Sequence, residues 1–141
     1  MDVKIKLLTD TARVPTYATD GSAAFDIYAD ECGRVGRGYV KPIKTGVSFE
    51  VPGGHVLKVY PRSGLSFKKG VRLANCTAII DSDYRGELMV ALTSDAEGFT
   101  VAAGDRIAQG IIMPVEKTKF IVADELSKTV RGTNGFGSTG Q

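Results

Sequence analysis

Apolar and polar residues alternate in short runs along most of the chain, and turn-forming residues cut the runs apart. Residues 3–7 read Val-Lys-Ile-Lys-Leu, and residues 47–51 read Val-Ser-Phe-Glu-Val before the turn Pro52-Gly53-Gly54. Residues 56–60 alternate again and stop at Pro61, and further apolar runs occupy residues 76–80, 87–92, 107–113 and 119–122. Alternating runs and short apolar runs, both broken by turn residues, predict a β-strand in each case. One short helix is predicted over residues 63–69, with Ser63 as its cap and Gly70 as its stop. No long amphipathic helix is present, which argues against βαβ dinucleotide folds. The pattern predicts an all-β domain, a sandwich or closed jelly-roll-like barrel with one short helix.

Composition agrees and narrows the classes. The 141 residues are 43% hydrophobic and 24% charged, with 17 glycines and 5 prolines as punctuation. That length suffices for one core without covalent staples. No apolar stretch approaches the roughly 20 residues that span a bilayer. The chain enters its first alternating run at once, without the apolar segment of a signal peptide. A formal charge of +2 is too small for bulk nucleic-acid binding, so any anion must be held by local groups. The two cysteines, Cys32 and Cys76, lack metal-site spacing and read as free thiols of a soluble cytoplasmic protein. His55 is the single histidine and falls on a strand.

Five segments carry candidate chemistry. Residues 131–140, Arg-Gly-Thr-Asn-Gly-Phe-Gly-Ser-Thr-Gly, hold four glycines and cannot pack a core. They read either as a disordered end or as a clamp, in which glycine amides, Arg131, Ser138 and Thr139 surround an anion and Phe136 stacks on a base. Pro61-Arg62-Ser63-Gly64 leads into the helix, whose first amides suit an anion, or is simply a capped turn. In Asp81-Ser82-Asp83-Tyr84, one carboxylate orients a water as general base, or both shape the turn. Asp26 within Ala24-Phe25-Asp26-Ile27 and Gln109 within an apolar run are polar anomalies, and a buried carboxylate demands a partner. Residues 30–37 and 95–99 read as exposed loops, either solvated connections or partner-facing.

Together these segments resemble the five ordered motifs of the trimeric dUTP pyrophosphatases. Ala23-Ala-Phe-Asp-Ile-Tyr-Ala29 is similar to the first and residues 61–70 to the second. Residues 75–88, with Ile80-Asp-Ser-Asp-Tyr-Arg-Gly86, are similar to the third. Gly104-Asp-Arg-Ile-Ala-Gln109 resembles the fourth and residues 131–140 the fifth. The resemblance implies a homotrimer with active sites at subunit interfaces, a barrel over residues 1–125, and a flexible arm over residues 126–141 that completes an active site. It implies hydrolysis of dUTP to dUMP and pyrophosphate with Mg²⁺, which limits uracil incorporation into DNA and supplies dUMP for thymidylate synthesis. In that scheme Asp81 is the general base, and Asp26 holds the metal through bound water. Arg62, Ser63, Gly64 and Gln109 hold phosphate oxygens. Asn75 and the backbone of the hairpin after it read the uracil edge, Tyr84 packs against the deoxyribose, and Ile80 and Met89 also bind substrate. Phe136 covers the uracil, and Arg131, Gly137, Ser138 and Thr139 grip the γ end. Two departures stand out: Ala78 where the family usually has glycine, with an expected effect on the uracil pocket, and Gly110 where a larger apolar residue is common. The alternatives are a nucleotide-sensing binding protein on the same fold and, further off, a dCTP deaminase.

Overall fold

The computed structural model describes residues 1–136 and 138. In chain order the strands are β1 (Lys4–Leu7), β2 (Phe25–Tyr28), β3 (Gly33–Val35), β4 (Lys41–Lys44), β5 (Val47–Glu50) and β6 (His55–Tyr60). Helix α1 (Ser63–Lys69) follows, then β7 (Val71–Leu73), β8 (Ala78–Ile80), β9 (Met89–Ser94), β10 (Phe99–Val101) and β11 (Arg106–Pro114). Four antiparallel sheets have the orders β2-β11-β6-β8, β4-β9-β7, β1-β5 and β10-β3. This is the all-β jelly-roll expected from the sequence.

All the sheets feed one core. Ile27, Ile43, Leu57, Leu73, Leu92 and Ile107 are each nearly inaccessible, and they come from both larger sheets. At about 1.5–3 kcal/mol for each fully buried aliphatic side chain, this cluster holds the layers together. His55 takes its strand position at the start of β6, and Cys32 and Cys76 are free and exposed.

Helix α1 has the expected bounds but a different cap. Arg62, with φ −91 and ψ 133, occupies the cap position, and Ser63 is the first helical residue without a capping side-chain bond. Its polar neighbours lie instead in the cleft described below. Gly70 closes the helix at φ 64, a left-handed geometry that glycine adopts without steric cost.

Other departures have simple causes. Strands β3, β7 and β10 are too short to show a period, and β4 contains Pro42, which an edge strand tolerates. Residues 30–37 and 95–99, read as solvated or partner-facing loops, hold β3 and the start of β10, which pair with each other. Asp95 is clamped by Arg72 through hydrogen bonds of 2.9 and 3.0 Å, and that contact holds its carboxyl below the usual range. Residues 119–122 do not form the expected strand. No edge within the described residues pairs with them, and Phe120, Ile121 and Val122 lie fully out in solvent.

Gly110 has a packing reason. A β-carbon there would sit 2.5 Å from Phe25 Cε2 and 3.1 Å from Leu57 Cδ1. Phe25 lies over this gap and stacks on Phe49 at 6.2 Å, so it fills the volume a larger residue would take. Gly110→Val is therefore expected to destabilise the fold by about 1–3 kcal/mol through overpacking, read as a lower urea midpoint at unchanged slope.

Candidate active site

The first cluster forms where β2, β11 and the start of α1 converge. Cross-strand register sets Asp26 opposite Gln109, and Gln109 opposite Tyr60, the last residue before Pro61 and Arg62. Asp26 is 8% exposed, so its charge needs compensation. Two arginines supply it: Arg62 Nε lies 2.9 Å from Oδ1 and Arg106 Nη1 lies 3.1 Å from Oδ2. Arg62 Nη1 also donates to the Arg106 carbonyl at 3.2 Å, which fixes the guanidinium at two points. Gln109 Nε2 donates to the Pro61 carbonyl at 2.9 Å and ties the same corner to β11.

Asp26, Arg62, Ser63, Gly64 and Gln109 thus line one open cleft of about 450 Å³. The first amides of a helix have no intrahelical partner, and residues 63 and 64, which open the helix, line this cleft. An arginine held rigidly beside free amides and a hydroxyl is suited to polyphosphate oxygens. Sequence reasoning missed Arg106. The requirement that a buried aspartate find a cation was the available signal, and Arg106 lies on the strand beside it.

The second cluster lies beyond the opposite edge of the same sheet. Ile80, Asp81, Tyr84, Glu87 and Met89 line a recess of about 220 Å³. Asp81 follows β8 directly and is exposed, and Tyr84 is 43% exposed with its hydroxyl donating to the Glu87 carbonyl at 3.0 Å. Asn75 does not line this recess. It sits in the turn preceding β8, where Cys76 takes a left-handed φ of 60. Ala78 packs against the core together with Ile80, and its neighbours Ile79 and Ile80 line the recess.

The two clusters are far apart within one chain. Asp26 is on β2 and Ile80 on β8, three strand spacings away, and Ile80 pairs with Leu57, three residues from Tyr60. With about 4.8 Å between strands and 3.3 Å per residue, their backbones lie roughly 17 Å apart. Among the described residues the arm meets neither cluster: the Arg131 guanidinium donates to the carbonyls of Asn134 and Gly135, and Phe136 and Ser138 are exposed. Gly137 and Thr139 lie outside the described residues. No group of three or more acidic, cysteine or histidine side chains is placed to cage a metal among the described residues.

The comparisons with known proteins extend over the whole molecule. A family model described as dUTPase matches residues 10–140. The chain is 44% identical over 142 residues to a deoxyuridine 5'-triphosphate nucleotidohydrolase of Nautilia profundicola, covering 100% of both chains. It is 40% identical to the protein of that name from Helicobacter pylori, covering 99% of this chain and 97% of the other. Among solved structures, a Staphylococcus bacteriophage 80alpha dUTPase mutant with dUpNHpp superposes with a TM-score of 0.92 at 27% identity, over 99% of each chain.

Proposed function

This chain belongs to the dUTPase family, and from that premise we propose that it hydrolyses dUTP to dUMP and pyrophosphate at sites shared between subunits of a homotrimer. The observation that carries the reading is the pair of open recesses, one with arginine and free amides, the other with an aspartate beside a tyrosine. A nucleoside triphosphate has those two ends.

The separation of the two clusters supports the shared-site assembly. Base and phosphate clusters roughly 17 Å apart in one chain are brought to one nucleotide by apposing different subunits. Phe120, Ile121, Val122, Leu126 and Val130 are exposed and apolar, which supports association with a second copy. In this reading residues 1–125 are the barrel domain, and residues 126–141 are an arm that closes over an active site.

Within the site Asp81 orients a water and takes its proton as the oxygen attacks the α-phosphorus, and pyrophosphate leaves in line. Arg62, Ser63, Gly64 and Gln109 hold the phosphate chain, and Asn75, Ile80 and Met89 contribute to the base and sugar site, with Tyr84 against the deoxyribose. Phe136 covers the uracil, and Arg131, Gly137, Ser138 and Thr139 grip the γ end. The donor set fits Mg²⁺ carried on the triphosphate rather than caged by protein. Asp26 retains about two of its four acceptor sites after binding both arginines, enough to hold metal-bound water. Bound there, the ion neutralises charge on the phosphates.

Pyrophosphate release measured side by side with dUTP, dTTP, dCTP and UTP, with and without Mg²⁺, tests this reading. dUTP with Mg²⁺ is expected to exceed every other combination by at least about 10²-fold in kcat/KM, since a site built around one set of polar groups rejects mismatches strongly. Comparable rates with all four nucleotides would refute it, and ammonia release from dCTP would point to a deaminase.

A further inference from the structure

We infer that Gly86 and Glu87 form a platform that fixes Tyr84, and that this platform sets discrimination against ribonucleotides. The inference rests on the reading of Tyr84 as the residue against the deoxyribose. Tyr84 is 43% exposed and lies outside the buried core, so core packing alone does not fix its ring. What holds it is local.

Three observations define the platform. The three atoms that a β-carbon at Gly86 would meet first all belong to the Tyr84 side chain, with Cζ at 2.6 Å and Cε2 at 3.0 Å. The ring therefore lies in the space that only a glycine leaves open. The Tyr84 hydroxyl donates to the Glu87 carbonyl at 3.0 Å. Glu87 is itself anchored, because its Oε1 accepts the Gly46 amide at 2.9 Å. The next residue is locked to the same segment: the Leu88 amide donates to the Val47 carbonyl at 2.8 Å, and Thr45 Oγ1 donates to the Leu88 carbonyl at 2.6 Å.

Gly46 is a rigid anchor. It holds φ 65, and a β-carbon there would meet Ala12 and Asp30 at 2.6 Å. The chain of contacts thus runs from the barrel interior through Glu87 to the tyrosine ring. A ring held within a fraction of an ångström can exclude one extra hydroxyl, whereas a ring free to swing aside cannot. Gly86 and Glu87 are positioning residues, acting only through Tyr84.

Gly86 is not in the left-handed region, so alanine is compatible with its backbone and conflicts with the tyrosine ring. The test compares wild type with Tyr84→Ala, Gly86→Ala, Glu87→Ala and Glu87→Gln, measuring kcat/KM for dUTP and for UTP together with thermal melting. Gly86→Ala and Glu87→Ala are expected to lower the dUTP-to-UTP ratio about tenfold. Glu87→Gln, which keeps an acceptor for the Gly46 amide, is expected to retain the ratio, and Gly86→Ala to melt near the wild-type temperature. A ratio that falls in Tyr84→Ala but stays at the wild-type value in Gly86→Ala overturns the platform and leaves the reading of Tyr84 intact. An unchanged ratio in Tyr84→Ala overturns both. Should Glu87→Ala not fold, Gly86→Ala decides alone.

Discussion

Asp81→Asn is expected to lower kcat for dUTP by about 10²–10⁴-fold, the usual contribution of a positioned general base, while dUTP still binds. The amide is isosteric with the carboxylate but cannot take a proton from the attacking water. Asp81 is exposed at the end of β8 and contributes nothing to the core, so fold stability is not expected to change. Phosphate binding is not expected to change either, because Arg62, Ser63, Gly64 and Gln109 line a separate cleft. The effect should therefore fall on kcat with little change in substrate affinity, measured by single-turnover hydrolysis and by titration with a non-hydrolysable analogue. Turnover near the wild-type rate would remove Asp81 from the role of base. Binding lost in step with turnover would instead make Asp81 a substrate anchor.

Much of this site was legible because its chemistry depends on local residue type. The Arg-Ser-Gly turn before a short helix, the Gly70 stop and the aspartate stranded in an apolar run are each visible within a few residues. The anomaly of Asp26 even stated its own requirement for a cation. It did not say which cation, because Arg106 is 80 residues away and meets Asp26 only through the pairing of β2 with β11. Gly110 looked like an unexplained departure for the same reason: its justification is the ring of Phe25 on the neighbouring strand. Strands β3, β7 and β10 have three residues each, fewer than a period-two pattern needs, and Pro42 interrupts the pattern of β4. Residues 119–122 carried a strand-like pattern without an edge to pair with, and pattern alone does not reveal whether a partner strand exists. Asn75 enters the base site through the family resemblance alone, and it precedes β8 whereas Asp81 follows it.

Removing residues 131–141 is expected to lower kcat/KM for dUTP by about 10²-fold or more while leaving the oligomeric state and melting temperature unchanged. The stability half of this expectation follows from where the barrel ends. Strand β11 stops at Pro114, and the Val115 amide still donates to the Gly54 carbonyl at 2.8 Å. Residues 116–136 and 138 are exposed, and none belongs to the core, so among the described residues truncation from residue 131 removes almost no buried area. The functional half follows from charge. A triphosphate carries several negative charges, and the barrel cleft offers Arg62 with its guanidinium already committed to Asp26 and the Arg106 carbonyl. Loss of Arg131 and the neighbouring donors leaves the far end of the substrate without a counter-charge. Mixed assemblies of the proposed trimer separate an arm that serves its own chain from one that serves a neighbour. Asp81→Asn chains with intact arms are co-refolded with truncated chains that retain Asp81. If the arm closes over a neighbouring subunit's site, the mixture recovers turnover that neither parent has. If mixing recovers nothing while the truncated parent is inactive, the arm acts on its own chain, and full activity in the truncated parent would exclude any catalytic role for the arm.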